Sequence, residues 1–432
     1  MYKRLSLIGV LLVILALACS DGAAITPSAS SAAADNVGTI VAGTMTAMAA
    51  SGVTPSVNES PPGSLPAGAG LRVAYVKDGD IWLWVEGSGA LRLTGAKSDS
   101  DVRISDDGQV VAFRRNNEMW AVNADGSGAR PLVGLAYLGS LMPAGGGQVL
   151  VNTFEFLPGS RIVFFNTGVQ GEAFFAPQFD LHRVDADNPT PLALLQPGAG
   201  GAFYFAPNRA RLAVVQPEKI NVVNVDGTGW QTVFGFTQVS TYSEWFYLPE
   251  VVWMPDSSGL KAVIPPPDPL GNPAATTRFM YISADGSMTA QLAAFLAAPV
   301  FVSPPHLSPD GDRIAYLREN GANLELHVVD SSTTDELYTS YAKEAIGLVG
   351  WAPDPVSFVF WMDNPQALQL GRLGGSPVPL TDAPQASAPR WISADRFLFF
   401  SNNELRLRRL DAPSNLIDSG ILPAYQSCDF AD

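Results

Sequence analysis

From residue 71 onward the chain alternates between two hydrophobic patterns. One is a short, wholly apolar run rich in β-branched and aromatic residues: Ile162-Val163-Phe164-Phe165, Leu212-Ala213-Val214-Val215, Phe358-Val359-Phe360, Phe397-Leu398-Phe399-Phe400. Strands buried on both faces read this way. The other alternates apolar with polar, as in Leu405-Arg406-Leu407-Arg408 or Asn221-Val222-Val223-Asn224-Val225, and suits a strand nearer a rim. A turn rich in Pro, Asp or Gly opens each pair. The sharpest copy is Leu307-Ser308-Pro309-Asp310-Gly311, then Ile314-Ala315-Tyr316, then Leu324-Glu325-Leu326-His327-Val328-Val329. Counted from Asp106, the turns fall at 106, 158, 207, 255, 309, 353 and 394, in steps of 52, 49, 48, 54, 44 and 41. Four strands in such a period predict the blades of an all-β propeller.

An eighth copy, Val73-Ala74-Tyr75 then Ile81-Trp82-Leu83-Trp84-Val85, lacks a convincing strand before it. We expect the tail Ala424–Asp429 to supply that innermost strand and clasp the termini, removing the open sheet edges. The expected fold over 71–432 is therefore eight four-stranded blades. The alternative is a seven-bladed ring with Leu71–Gly95 packed outside it.

The turns carry a further signature. An aromatic residue precedes the Pro-Asp step in Trp253-Met254-Pro255-Asp256, Trp351-Ala352-Pro353-Asp354, Trp391-Ile392-Ser393-Ala394-Asp395 and Phe205-Ala206-Pro207-Asn208. This resembles the TolB-type, WD-like propeller repeat. The resemblance covers about 360 residues, essentially all of 71–432. Several copies lose the Gly, and the α/β domain that precedes the propeller in TolB itself is absent, so TolB's own partnership does not carry over.

The first residues read as an address. Lys3 and Arg4 precede an uncharged run from Leu5 to Ala18, too short to span a bilayer and the length of a signal-peptide core. The run ends Ala16-Leu17-Ala18-Cys19, which resembles the lipobox of bacterial lipoproteins, although that family usually has Leu or Val where Ala16 stands. The resemblance implies a signal peptide over 1–18, lipidation of Cys19 and anchoring at the membrane or outer envelope surface. An ordinary signal peptide cut near Ala18 is the alternative. Residues 19–70, rich in Ala, Ser, Thr, Gly and Pro, read as a flexible tether, with a weak helix over Asp35–Ala50.

Composition narrows the partners. Net charge is −15, and loss of the leader would remove two cations and no anions. Such a surface repels a phosphate backbone, so nucleic acid is not expected. Two cysteines and three histidines leave little for a disulfide framework or a Cys/His metal site, and no cofactor is expected. The Gly-x-Ser-x-Gly elbow of serine hydrolases does not occur. His182 and His327 hold the same place in different repeats, which argues for separate structural roles, and His306 reads as packing or solvent-exposed. No catalytic residue is assigned.

In a propeller, loops between second and third strands share one face with the blade connections. Here that face carries the irregular segments: Asn166–Asp180, Pro265–Arg278, Val133–Val151 and Phe234–Glu250. Rigid scaffolds present function on such loops. Phe174, Phe175, Tyr242, Trp245, Phe246 and Tyr247 are the expected binding residues, with Trp245 and Tyr247 as anchors. The expectation is a monomeric, non-catalytic scaffold for a protein or glycan of the cell envelope. A carbohydrate-binding propeller is the alternative. A channel-mouth enzyme would require Asp80, Glu118, Glu172, Glu218, Glu319 and Glu404 to converge.

Overall fold

In the computed structural model, which describes residues 70–432 except 173, 174, 333, 344, 364, 365, 383 and 384, the recurrent turn is a side-chain device. Ser105 Oγ donates to Asp107 Oδ1 at 2.5 Å and accepts from the Val110 amide at 3.0 Å. Ser308 repeats it, donating to Asp310 at 2.6 Å and accepting from Arg313 N at 2.9 Å. Gly108 and Gly311 stand at φ +65° and +68°, a region that glycine enters at no steric cost. The same Ser-x-Asp-Gly chemistry therefore reverses the chain at both turns, and Ser393 repeats the bond to Asp395 at 2.7 Å without the Gly. The expected leader, Cys19, the Asp35–Ala50 helix and the tether, apart from Gly70, lie outside the described residues, as does Phe174.

The strands pair antiparallel into eight sheets, seven of four strands and one of five. The chain is thus an eight-bladed propeller. The seven-bladed alternative fails because Arg72–Lys77, Asp80–Val85 and Gly89–Arg92 build a blade of their own. The five-stranded sheet is blade 3. Its second strand, Ile162–Gln170, runs on through the start of the expected Asn166–Asp180 loop, and Phe175–Pro177 folds back to pair with it.

The fourth strand of blade 1 comes from the far end of the chain. Cys428–Ala431 pairs with the first strand in the register Arg72↔Ala431 to Tyr75↔Cys428. The clasp lies a few residues beyond the expected position, because Pro423–Tyr425 forms a 3-10 turn first. This strand binds three blades. Ser427 O accepts from Val76 N at 3.1 Å in blade 1, and Asp429 Oδ2 accepts from Ile104 N at 2.9 Å in blade 2. Asp429 also pairs with Arg390 of blade 8.

Between each pair of neighbouring blades lies one apolar cluster, eight in all among the described residues. At the blade 8–blade 1 seam, Leu71, Val73 and Tyr75 meet Leu398, Phe400, Leu405 and Leu407. Each such side chain, fully buried, contributes about 1.5–3 kcal/mol, so the ring is held chiefly by sheet-on-sheet packing. The repeat tryptophans add a polar link. Trp253 Nε1 in blade 5 donates to Tyr204 O of blade 4, and Trp351 Nε1 in blade 7 donates to His306 O of blade 6, both at 2.9 Å. Among the described residues no helix is long and apolar enough to cross a membrane.

Candidate binding face and its pocket

The irregular segments meet on one face through aromatic contacts. Phe179 of blade 3 meets Phe246 of the blade 4–5 connection edge-on, with ring centroids 5.6 Å apart. Tyr242 of the same connection meets Phe301 of the blade 5–6 connection at 6.0 Å. Tyr242 sits at φ +55°, a costly conformation for a ring-bearing residue, and its hydroxyl donates to Asp268 of the Pro265–Arg278 loop. Four segments are thus tied into one surface.

Of the expected binding residues, Phe175, Tyr242, Trp245 and Phe246 are exposed, between 41% and 53% of their surface. Tyr247 is not. It is 6% exposed and packs with Val239 and Val300 in a small cluster of its own. The expectation of a surface anchor at Tyr247 is corrected to a buried ring that forms a pocket wall.

That pocket, open and about 510 Å³ in volume, is lined by Tyr204, Trp245, Tyr247, Leu248, Glu250, Val300, Pro304, Pro305 and His306. Tyr204 and His306 stand on the first strands of blades 4 and 6, and Glu250 immediately precedes that of blade 5. First strands line the central channel, so the pocket lies at the channel mouth. Glu250 Oε2 lies 3.3 Å from His306 Nδ1 and accepts from the Leu307 amide at 3.3 Å. Burial pushes the Tyr247 phenol up, and the negative charge of Glu250 pushes it further. Burial and then Glu250 raise Tyr204 in the same way. The repeat tryptophans Trp253 and Trp351 fix the backbone carbonyls of Tyr204 and His306, so the walls are held before any guest arrives. Sequence reasoning missed Glu250 and His306. The signal was available: both stand within five residues of a repeat turn, at the start of a first strand.

The other histidines are fully engaged. His182 stacks on Phe165 at 5.0 Å and bonds Asp180 and Tyr137, each at 2.9 Å. His327 stacks on Tyr316 at 5.4 Å and bonds Glu325 and Asp335, each at 3.1 Å. They stand on Leu181–Asp185 of blade 3 and Asn323–Asp330 of blade 6, in matching but separate environments. Hydrogen bonds from Asn320, His327 and Arg318 hold the Glu325 carboxyl down at about 2. Four of the six carboxylates that a channel-mouth enzyme would require serve local partners: Asp80 holds Arg92, Glu118 holds Trp120, Glu319 holds Lys343 and Glu404 holds Arg406. Among the described residues no three His, Cys, Asp or Glu side chains are grouped as a metal site.

No family model matches this chain, and none of the curated proteins does. Solved structures do resemble it. A eukaryotic initiation factor aligns over 84% of this chain and 98% of its own, with 9% identity and a TM-score of 0.51. TolB from Acinetobacter baumannii aligns over 60% and 69%, with 15% identity and a TM-score of 0.33. Oligogalacturonate lyase from Vibrio parahaemolyticus aligns over 67% and 82%, with 12% identity and a TM-score of 0.43. At these identities the likeness is one of fold.

Proposed function

We propose that this protein is a non-catalytic binding propeller, exported and held at the envelope by a lipid on Cys19, whose channel-mouth face docks a protein partner. One observation carries the docking reading. Three segments from different blades are bound together by aromatic contacts, yet leave Tyr242, Trp245, Phe246, Phe301 and Val302 each at least 40% exposed. Contiguous apolar surface rimmed by polar groups marks an interaction site, and aromatic anchors dominate binding energy at such sites. The opposite face carries short turns, among them Asp-Gly turns closed by their own side chains, as where Asp226 accepts from Thr228.

A photo-crosslinking residue at Phe246, introduced into the full chain in the organism that makes it, is expected to give a discrete protein adduct. The same residue at Asp226, on the opposite face, is expected to give none. Adducts at neither site, or the same adducts at both, would sink the docking reading; a glycan adduct at 246 would favour the carbohydrate-binding alternative. The anchor has its own test. Cys19→Ala should move the protein from the membrane fraction to the soluble exported fraction, and unchanged retention would refute lipidation.

A further inference from the structure

Resting on the docking reading, we infer that the channel-mouth pocket receives a cationic side chain, a lysine or arginine of the partner. The argument begins with what surrounds the cavity. Three aromatic rings, Tyr204, Trp245 and Tyr247, line it together with one carboxylate, Glu250. Aromatic faces carry negative quadrupole charge and attract a cation laid against them. A carboxylate beside the rings adds a charge-assisted hydrogen bond for the ammonium or guanidinium head.

The second part is what is missing. No Lys or Arg lines the pocket. The segments that shape this face, 171–180, 236–250, 265–278 and 296–306, contain Glu172, Asp180, Glu244, Glu250 and Asp268 against a single Arg, Arg278, which does not line the pocket. His306 is the sole basic side chain on the pocket wall, and its Nδ1 lies 3.3 Å from Glu250 Oε2. Oε1 of Glu250 has no hydrogen bond among the described residues. An apolar guest would desolvate that oxygen without replacing the water it loses, which costs free energy. An acidic guest would meet like charge from Glu250. A cation satisfies both the rings and the carboxylate.

The third part is geometry. Tyr247 is buried and fixed, whereas Trp245 is 46% exposed, so one wall is rigid and the other borders solvent. The aliphatic stem of Lys or Arg suits such a cleft, lying along Trp245 and Pro304 while the head reaches Glu250.

The test uses fluorescein-labelled pentapeptides of the form Gly-Ser-X-Ser-Gly, read by anisotropy on the chain from residue 19 onward. Peptides with X as Lys or Arg should bind saturably, and those with norleucine or Glu at least about tenfold more weakly. Glu250→Gln keeps an acceptor for Leu307 N and should weaken the Lys peptide about tenfold without shifting the melting temperature. Trp245→Ala should weaken it to a similar degree. Equal binding of norleucine and Lys, or an unchanged affinity in Glu250→Gln, would overturn the cation assignment, as would no binding by any peptide. The two readings fail differently. Crosslinking at Phe246 without any Lys preference leaves the docking face standing and removes the cation pocket, while Lys binding without crosslinking removes the docking face alone.

Discussion

Replacing Asp429 by alanine tests the closure of the ring at a single side chain. Its carboxylate accepts from the Ile104 amide in blade 2 and pairs with Arg390 in blade 8, while its own strand completes blade 1. Leaving the buried amide without an acceptor costs about 1–3 kcal/mol. Breaking a fully buried ion pair would add about 3–5 kcal/mol, but the Arg390 side chain is 41% exposed, so solvent screening leaves about 1 kcal/mol of it. The total is about 3 kcal/mol. Unfolding entropy of about 2.1 cal/mol/K per residue over about 360 residues then predicts a fall of about 4 °C in the midpoint. Asp429→Asn keeps the acceptor for Ile104 and should fall by only about 1–2 °C. Differential scanning calorimetry reads both. An alanine variant melting within about 1 °C of the parent, or an asparagine variant as damaged as the alanine one, would refute the assignment of Asp429 as the residue that locks the seam.

The Cys428 thiol, pushed up to about 12 by burial, should resist iodoacetamide at mildly alkaline pH and react fully in denaturant. Asp429→Ala should speed that reaction severalfold, whereas a native thiol as reactive as free cysteine would mean an open seam. Tyr247→Ala should cost about 3–4 kcal/mol by emptying a buried site, while Trp245→Ala should cost under about 1 kcal/mol; equal costs in thermal melts would refute the division into wall and surface. Glu325 titrates at about 2 in the fold, below its unfolded value, so its stabilisation is present above the ordinary glutamate range and is lost as pH falls toward 2. Glu325→Gln should flatten the dependence of melting temperature on pH in that acid window, and parallel profiles would contradict the stated bonding.

The ring was legible because its determinants are local. The turn rich in Pro, Asp or Gly, the apolar run and the alternating run each fit within a few residues, and their recurrence set the blade count. The clasp was legible for a different reason: the first repeat lacked a strand, and closure demanded one. The pocket was not legible as a whole. Tyr204, Trp245, Glu250 and His306 are spread over about a hundred positions, and only the ring brings them together. Tyr247 was misplaced because Ser243-Glu244-Trp245-Phe246-Tyr247 lies in irregular chain, where no period separates inward from outward positions. Loop Asn166–Asp180 was taken as wholly irregular because Thr167, Gly168 and Gly171 interrupt the apolar pattern, although the backbone pairs through Gln170 regardless.

The clasp also has a consequence for biosynthesis. Seven blades are complete once a continuous stretch of chain has been made, as blade 2 is by Val133. Blade 1 must wait, because Arg72 and its partner Ala431 lie more than 350 positions apart. Until then the inner edge of Arg72–Lys77 is an unpaired strand, open to any neighbour with a free strand to offer. The natural competitor is the Cys428–Ala431 strand of a second molecule, whose sequence is by definition a correct fit. At high local concentration this makes exchanged dimers, joined tail into first blade, the expected misassembly of this fold.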